Sequence, residues 1–488
     1  MRRTPAILVL IQAALVAGFA VALRSGRFPM GVAGEWEWQR VRFGPEAWSV
    51  ASALAGVAGF AGFAAAGFRS LAGDPTPRRQ AGWLAALVMV GAVAQGVVQE
   101  GAPDGYGLSK WIIALNAPGS NGYFTVAKAQ MADPRRFLAE YPGWIGRQDA
   151  LHVGTHPPGL FLVARGLLGL MEASPAGSRA VLALAPGSVS RAARVFREGI
   201  GLPRADAAAL ALTGALTLLA CASTVVPLYL LARSSLPASA AWAAASLWPL
   251  VPSALLFQPT ADTAFPLLST AALALAAWSS RSRGGRAWAL ATASGVVLAV
   301  GMAFTLAFLA VGLVVALLIV ASPGMGRPGR LGLIAATGAG FLAATLAGWA
   351  ATSANPFAIW WANQRNHARF YLENPRTYRA WALANPIELA VGLGLPAATW
   401  AALGFARPRR TPRVAWATLL VLAALTLTGR SLSEVGRLWL PLMPPLLIAA
   451  ASAFDRLRAG PKALAATVAL VGGQALILEA TIQVVYPV

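Results

Sequence analysis

The polar stretch from Gln99 to Gly159 holds Glu100 and Asp104 just after one apolar run, and Asp149, His152 and His156 just before the next. A carboxylate near a membrane surface can take a proton from a hydroxyl or amine if it lies within hydrogen-bond reach and partial burial tunes its pKa. Glu100 and Asp104 suit that role at the exit of their run. Asp104, set between Pro103 and Gly105, is the more firmly placed of the two, and the expectation is that it is the base. Asp262 ends the segment Gln258-Pro259-Thr260-Ala261-Asp262 at the mouth of another apolar run, a depth at which an ionisable group is usually paired or functional. Arg437, with Glu434 three residues before it, can offer a guanidinium fork to a phosphate. His367 lies in WWANQRNHARFYLENPRTYRAW, a composition that suits a polar ligand at a membrane surface and equally suits a plain interfacial helix.

The elements that must position these groups are helices in lipid. The chain has 488 residues, 57% apolar and only 12% charged, with a mean hydropathy of +0.62, which places it among polytopic membrane proteins. Its apolar runs are long enough to cross a hydrocarbon core as helices, and an open sheet edge in lipid would leave backbone groups unpaired. The expectation is an all-α protein of roughly 13 to 15 spans in one domain, 1–488, with short amphipathic helices in its loops. The net charge of +21 comes from arginines in short clusters between apolar runs, which reads as anchoring on one side of a membrane and attraction to its lipids, not as a nucleic-acid surface. Cys221, the only cysteine, lies in an apolar run, so disulfides and cysteine metal sites are excluded. A divalent cation is possible but has no clear ligand set, since the three histidines lack helical spacing, and no other cofactor is implied. No Walker A loop, dinucleotide fingerprint, His-Glu-x-x-His or nucleophile elbow is present.

Arg2 and Arg3 put the start of an uncleaved first span, about 5–23, in the cytoplasm. Alternation through Arg69, Arg78 and Arg79 then places the first major loop, 99–156, outside. Gly34-Glu35-Trp36-Glu37-Trp38, also outside, is either an interfacial anchor or a wall of the site. Between His156 and Arg233 an odd number of crossings is needed, whereas the hydropathy offers two. Either 207–231 is a broken pair of half-spans or 180–189 re-enters. Beyond Arg233 the alternation is regular, with a second outer loop at 352–386, the cytoplasmic cluster Arg407-Pro408-Arg409-Arg410 and a last span ending near Tyr486.

The order of the motifs resembles the GT-C glycosyltransferases, in particular the group of protein O-mannosyltransferases and aminoarabinose lipid A transferases. The resemblance rests on an outer loop after an early span, HPPG at 156–159 opening the next, LFQPTAD at 256–262, GMAFT at 301–305 and GRLWLPLMPP at 436–445, about a quarter of the chain. It implies transfer of a sugar from a polyprenyl-phosphate donor to a glycan, lipid or protein acceptor on the extracytoplasmic face of a bacterial plasma membrane. His156 would then shape the substrate mouth, Asp262 would support the loop and Arg437 would hold the lipid phosphate, with Asp149, His152, His367 and Glu434 beside them. The family places an acidic pair shortly before a tyrosine, where this chain has Pro118-Gly119-Ser120-Asn121-Gly122-Tyr123. The base would then come from Asp104 or Glu100, or from Glu35 or Glu37. The alternative function is a transporter or flippase for a lipid-linked saccharide.

Overall fold

The computed structural model describes residues 3–485 except 27, 29, 42 and 74. It is 76% helical. Among the described residues, eight helices are long and apolar enough to cross a membrane, or up to ten if each of two sharply bent pairs is one span. That is fewer than the expected 13 to 15, because several apolar runs break into shorter helices. Phe308–Val320 and Arg413–Leu427 are short. The run from Ala238 is split at Trp248-Pro249 and again at Pro252, and Ala240 to Thr260 is buried throughout. Such runs are apolar because protein surrounds them, and hydropathy does not distinguish burial in protein from burial in lipid.

Helix starts follow the sequence. Thr76, Asp133, Ser174 and Asn355 each accept a hydrogen bond from a backbone N–H of the helix they precede, and each is followed by proline, whose missing N–H costs nothing in a first turn. Close packing is set by small residues. A Cβ at Gly295 would strike the Thr337 carbonyl and one at Gly340 that of Thr292, so Gly284–Met302 and Arg327–Thr352 approach backbone to backbone.

The interval in which the number of crossings was open contains a sharp bend. Gly159–Ala173 and Pro175–Leu184 meet at 110°. Pro175 drives Ser174 out of the helical region, to φ −129° and ψ 86°. The chain beyond this bend returns to the end it left, because Ser188 donates to the Glu100 carboxylate and Lys128 pairs with Asp206. Arg204–Arg233 then runs as one 30-residue span to the opposite end, where the Tyr229 hydroxyl donates to Gln80 Oε1 at 2.8 Å. The corner at Ser174 thus sends 159–184 back to the end it left. We call the end bearing Glu100 the loop face and the end bearing Gln80 the arginine face.

Two departures from an all-helical chain sit at the loop face. Gly31–Val32 pairs with Trp36–Glu37, and Gln39–Arg40 with Ile482–Gln483, both antiparallel. The tryptophans here face protein. Trp38 is buried against Phe257, ring centroids 5.8 Å apart, and Trp36 lies 6.3 Å from Trp381. The expected end of the last span near Tyr486, like Arg2, lies outside the described residues; the helix itself is Pro461–Thr481.

Candidate functional site

The second polar loop is mostly one helix, Pro356–Glu373, and it clamps the first. Asn363 Nδ2 donates to the carbonyls of Gly154 and His156 at 3.2 and 3.1 Å, and Asn366 Nδ2 to those of Gly154 and Ile145 at 2.7 and 3.0 Å. Tyr141 adds its hydroxyl to the His156 carbonyl at 2.6 Å. The Gly159 N–H binds the Ala303 carbonyl at 2.9 Å, an approach a Cβ would block, so the HPPG segment is docked on the turn after Gly284–Met302. These amides satisfy loop carbonyls that the buried setting removes from water.

Within this frame the polar groups converge. His156 Nδ1 lies 2.9 Å from the His152 carbonyl. A carbonyl only accepts, so Nδ1 carries the proton and Nε2 keeps its lone pair. The ring stands edge-on to Tyr123, centroids 5.6 Å apart. Asp262, half-buried in the turn before Phe265–Ser279, acts electrostatically on both Tyr123 and His156. Arg437 Nη2 contacts Glu434 Oε2 at 2.6 Å, feels Asp262, Tyr123 and Glu388, and leaves its buried Nε without a partner.

Burial sets the protonation of this group. It lowers His156, with Asp262 pulling the other way, and it lowers His152 to about 3 with help from Arg437. His367 falls to about 4, again through burial first and then His156, while a hydrogen bond to the Thr155 carbonyl opposes the fall. Burial, then Asp262, pushes the Tyr123 phenol well above its ordinary value. At neutral pH the site therefore holds three neutral imidazoles, a phenol able to donate, one guanidinium and the Asp262 carboxyl. No three or more His, Cys, Asp or Glu side chains among the described residues are arranged to hold a metal ion.

An apolar cavity of about 310 Å³ adjoins this group. It lies between Gly159–Ala173, Arg204–Ser223 and Phe265–Ser279, with Tyr123, Asn121 and Ala261 in its wall. Val163 and Leu216, also lining it, are exposed on the side of the bundle, so the cavity is flanked by surface that lipid would cover.

Of the residues singled out by sequence, His152, His156, His367, Asp149, Asp262, Glu434 and Arg437 share this neighbourhood. Asp149 caps its own turn, accepting from Leu151 N–H at 2.8 Å, and reaches Tyr123 electrostatically. Glu100 and Asp104 keep other company. Glu100 is held by Ser188 with Arg191, Asp104 and Lys110 around it, burial raising its carboxyl, and Asp104 is exposed. Glu35 is occupied as a latch, accepting from Thr377 N–H at 2.9 Å and Trp381 Nε1 at 2.7 Å. Sequence reasoning missed Glu388 beside Arg437, and the ion pair of Lys110 with Glu479. The available signal was an acid inside an apolar run, Pro386-Ile387-Glu388-Leu389 and Ile477-Leu478-Glu479. No family model matches the chain, and no curated protein matches it significantly.

Proposed function

We propose that the chain is a membrane glycosyltransferase of the GT-C kind, which takes a sugar from a polyprenyl-phosphate donor on the extracytoplasmic face of the membrane. The observation that carries this reading is the junction at Tyr123, which lines the apolar cavity and also belongs to the Asp262, His156 and Arg437 group. A lipid-linked sugar phosphate needs both halves: an apolar channel for the prenyl chain and a buried guanidinium for the phosphate. The Arg437 Nε, buried and unpaired, is a donor waiting for an acceptor.

In this reading the acceptor oxygen bonds to the anomeric carbon while that carbon's bond to the phosphate oxygen breaks, and the electron pair leaves on the phosphate. Arg437 stabilises the departing charge. The acceptor proton passes to Asp262, the carboxylate in this group nearest in role to a base, since Glu434 is bound to Arg437. His156 Nε2 is free to accept a hydroxyl proton in a hydrogen bond and so orient acceptor or sugar. The base thereby moves from Asp104, the sequence expectation, to Asp262, which shares its surroundings with Arg437.

A lipid-linked-saccharide transporter is favoured by one observation, the ion pair of Lys110 and Glu479 with side chains 1% and 2% exposed. It is one pair near the loop face, not a relay across the bundle. The deciding experiment gives purified protein in vesicles a polyprenyl-phosphate hexose with a membrane acceptor fraction. Transfer with release of polyprenyl phosphate is expected, reduced about 10²- to 10⁴-fold in Asp262→Asn. Translocation of the intact lipid without transfer would establish the transporter instead.

A further inference from the structure

The segment that carries Arg437 is held in an unfavourable backbone shape. Ser433 and Glu434 have φ of 79° and 54°, in the left-handed region that non-glycine residues seldom enter. Such a turn persists only where its surroundings over-determine it. Three flanking contacts help: Asn385 Nδ2 to the Ser431 carbonyl at 2.7 Å, Leu432 N–H to the Tyr371 hydroxyl at 3.1 Å, and Arg376 Nε to Ser433 Oγ at 3.4 Å. The contact at the turn itself comes from Glu388, 4% exposed on Tyr378–Leu393. Its Oε1 accepts from Gly436 N–H at 2.9 Å, and the Val435 N–H also points to the carboxylate. Its Oε2 has no hydrogen-bond partner, with the Trp38 indole beside it. A Cβ at Gly436 would be crowded, 3.0 Å from the Trp38 ring and 3.1 Å from Glu388 Oε1.

We propose that Glu388 is a positioning residue: by accepting the backbone N–H of Gly436 it fixes the 433–437 turn and so sets the Arg437 guanidinium in the site. This rests on the phosphate-binding role proposed above for Arg437. What matters is an acceptor at Oε1, not the carboxylate charge, and the two are separable. Glu388→Gln keeps an amide oxygen for Gly436 N–H, whereas Glu388→Ala removes the acceptor.

The test uses the full chain in lipid nanodiscs with two readouts. Amide hydrogen exchange across 431–440 is expected to rise about tenfold in Glu388→Ala, confined to that peptide, through the loss of a buried hydrogen bond, and to stay near wild type in Glu388→Gln. Binding of a polyprenyl phosphate is expected to weaken about tenfold in Glu388→Ala and to recover in Glu388→Gln. Unchanged exchange in Glu388→Ala, or local opening with unchanged binding, overturns the proposal. Should Glu388→Ala fail to fold, Glu388→Asp, whose shorter side chain draws the carboxylate back from the Gly436 N–H, decides: wild-type exchange and binding there are equally fatal. If wild-type protein binds no polyprenyl phosphate, the functional reading fails, while the exchange readout still reports whether Glu388 holds the turn.

Discussion

A buried imidazole is a liability at low pH, and this site has three. His152 and His367 take up a proton only near about 3 and about 4 in the folded chain, against an ordinary value of 6.5, chiefly because burial disfavours the charged ring. Between those values and 6.5 the unfolded chain binds more protons, so stability rises with pH there. The contribution is complete above about 6.5 and is lost as pH falls toward 4 and then 3. The thermal midpoint of the purified protein should accordingly fall between pH 7 and pH 4.5. His367→Asn keeps a donor for the Thr155 carbonyl but cannot titrate, and its midpoint should fall less. Equal slopes for the two proteins would mean that His367 is not held neutral by the fold.

At the scale of elements, the bend at Ser174 decides which side of the bundle the arginines of Gly187–Gly199 occupy. Arg191 and Arg194 are exposed, and Ser188 on the same helix meets Glu100 at the loop face. Such a helix, with Val189 and Ala193 buried beneath it, suits a position along the membrane surface. Single cysteines at 104, 191 and 365, after replacement of Cys221, should all react with an impermeant maleimide from one side. Those at 78, 283 and 409 should react from the other. Labelling of position 191 together with 283 would show that the 159–184 hairpin crosses the membrane, and would refute the re-entrant reading.

Over the whole molecule, the loop that frames the site is tied to the last long helix by one charge pair. Lys110 Nζ lies 3.3 Å from Glu479 Oε2, both side chains inaccessible. Removing one partner strands the other charge, a cost of about 3–5 kcal/mol, whereas replacing both with apolar side chains of similar volume is often neutral or stabilising. Lys110→Met and Glu479→Leu should each lower the thermal midpoint sharply, and the double variant should recover most of the loss. Additive losses in the double variant would show that the two residues act independently. The pair adds to the Asn363 and Asn366 contacts that hold 99–159 over the apolar bundle.

The sequence by itself determined the helical class, the location of the loops and the candidate polar residues, because hydropathy, proline placement and capping act over a few turns of chain. Thr76, Asp133 and Asn355 could be read as helix starts without any structure. The tertiary structure alone decided which apolar runs protein covers, how 159–184 turns back and which acids stand near Arg437. It brought His152, His156 and His367 together with Asp262 although no spacing relates them, and it set Glu100 beside Ser188 instead. The reason is physical: a polar group's partner is chosen by helix packing across the bundle, as where Gly295 and Gly340 let two backbones touch, and that choice leaves no local periodicity in the chain.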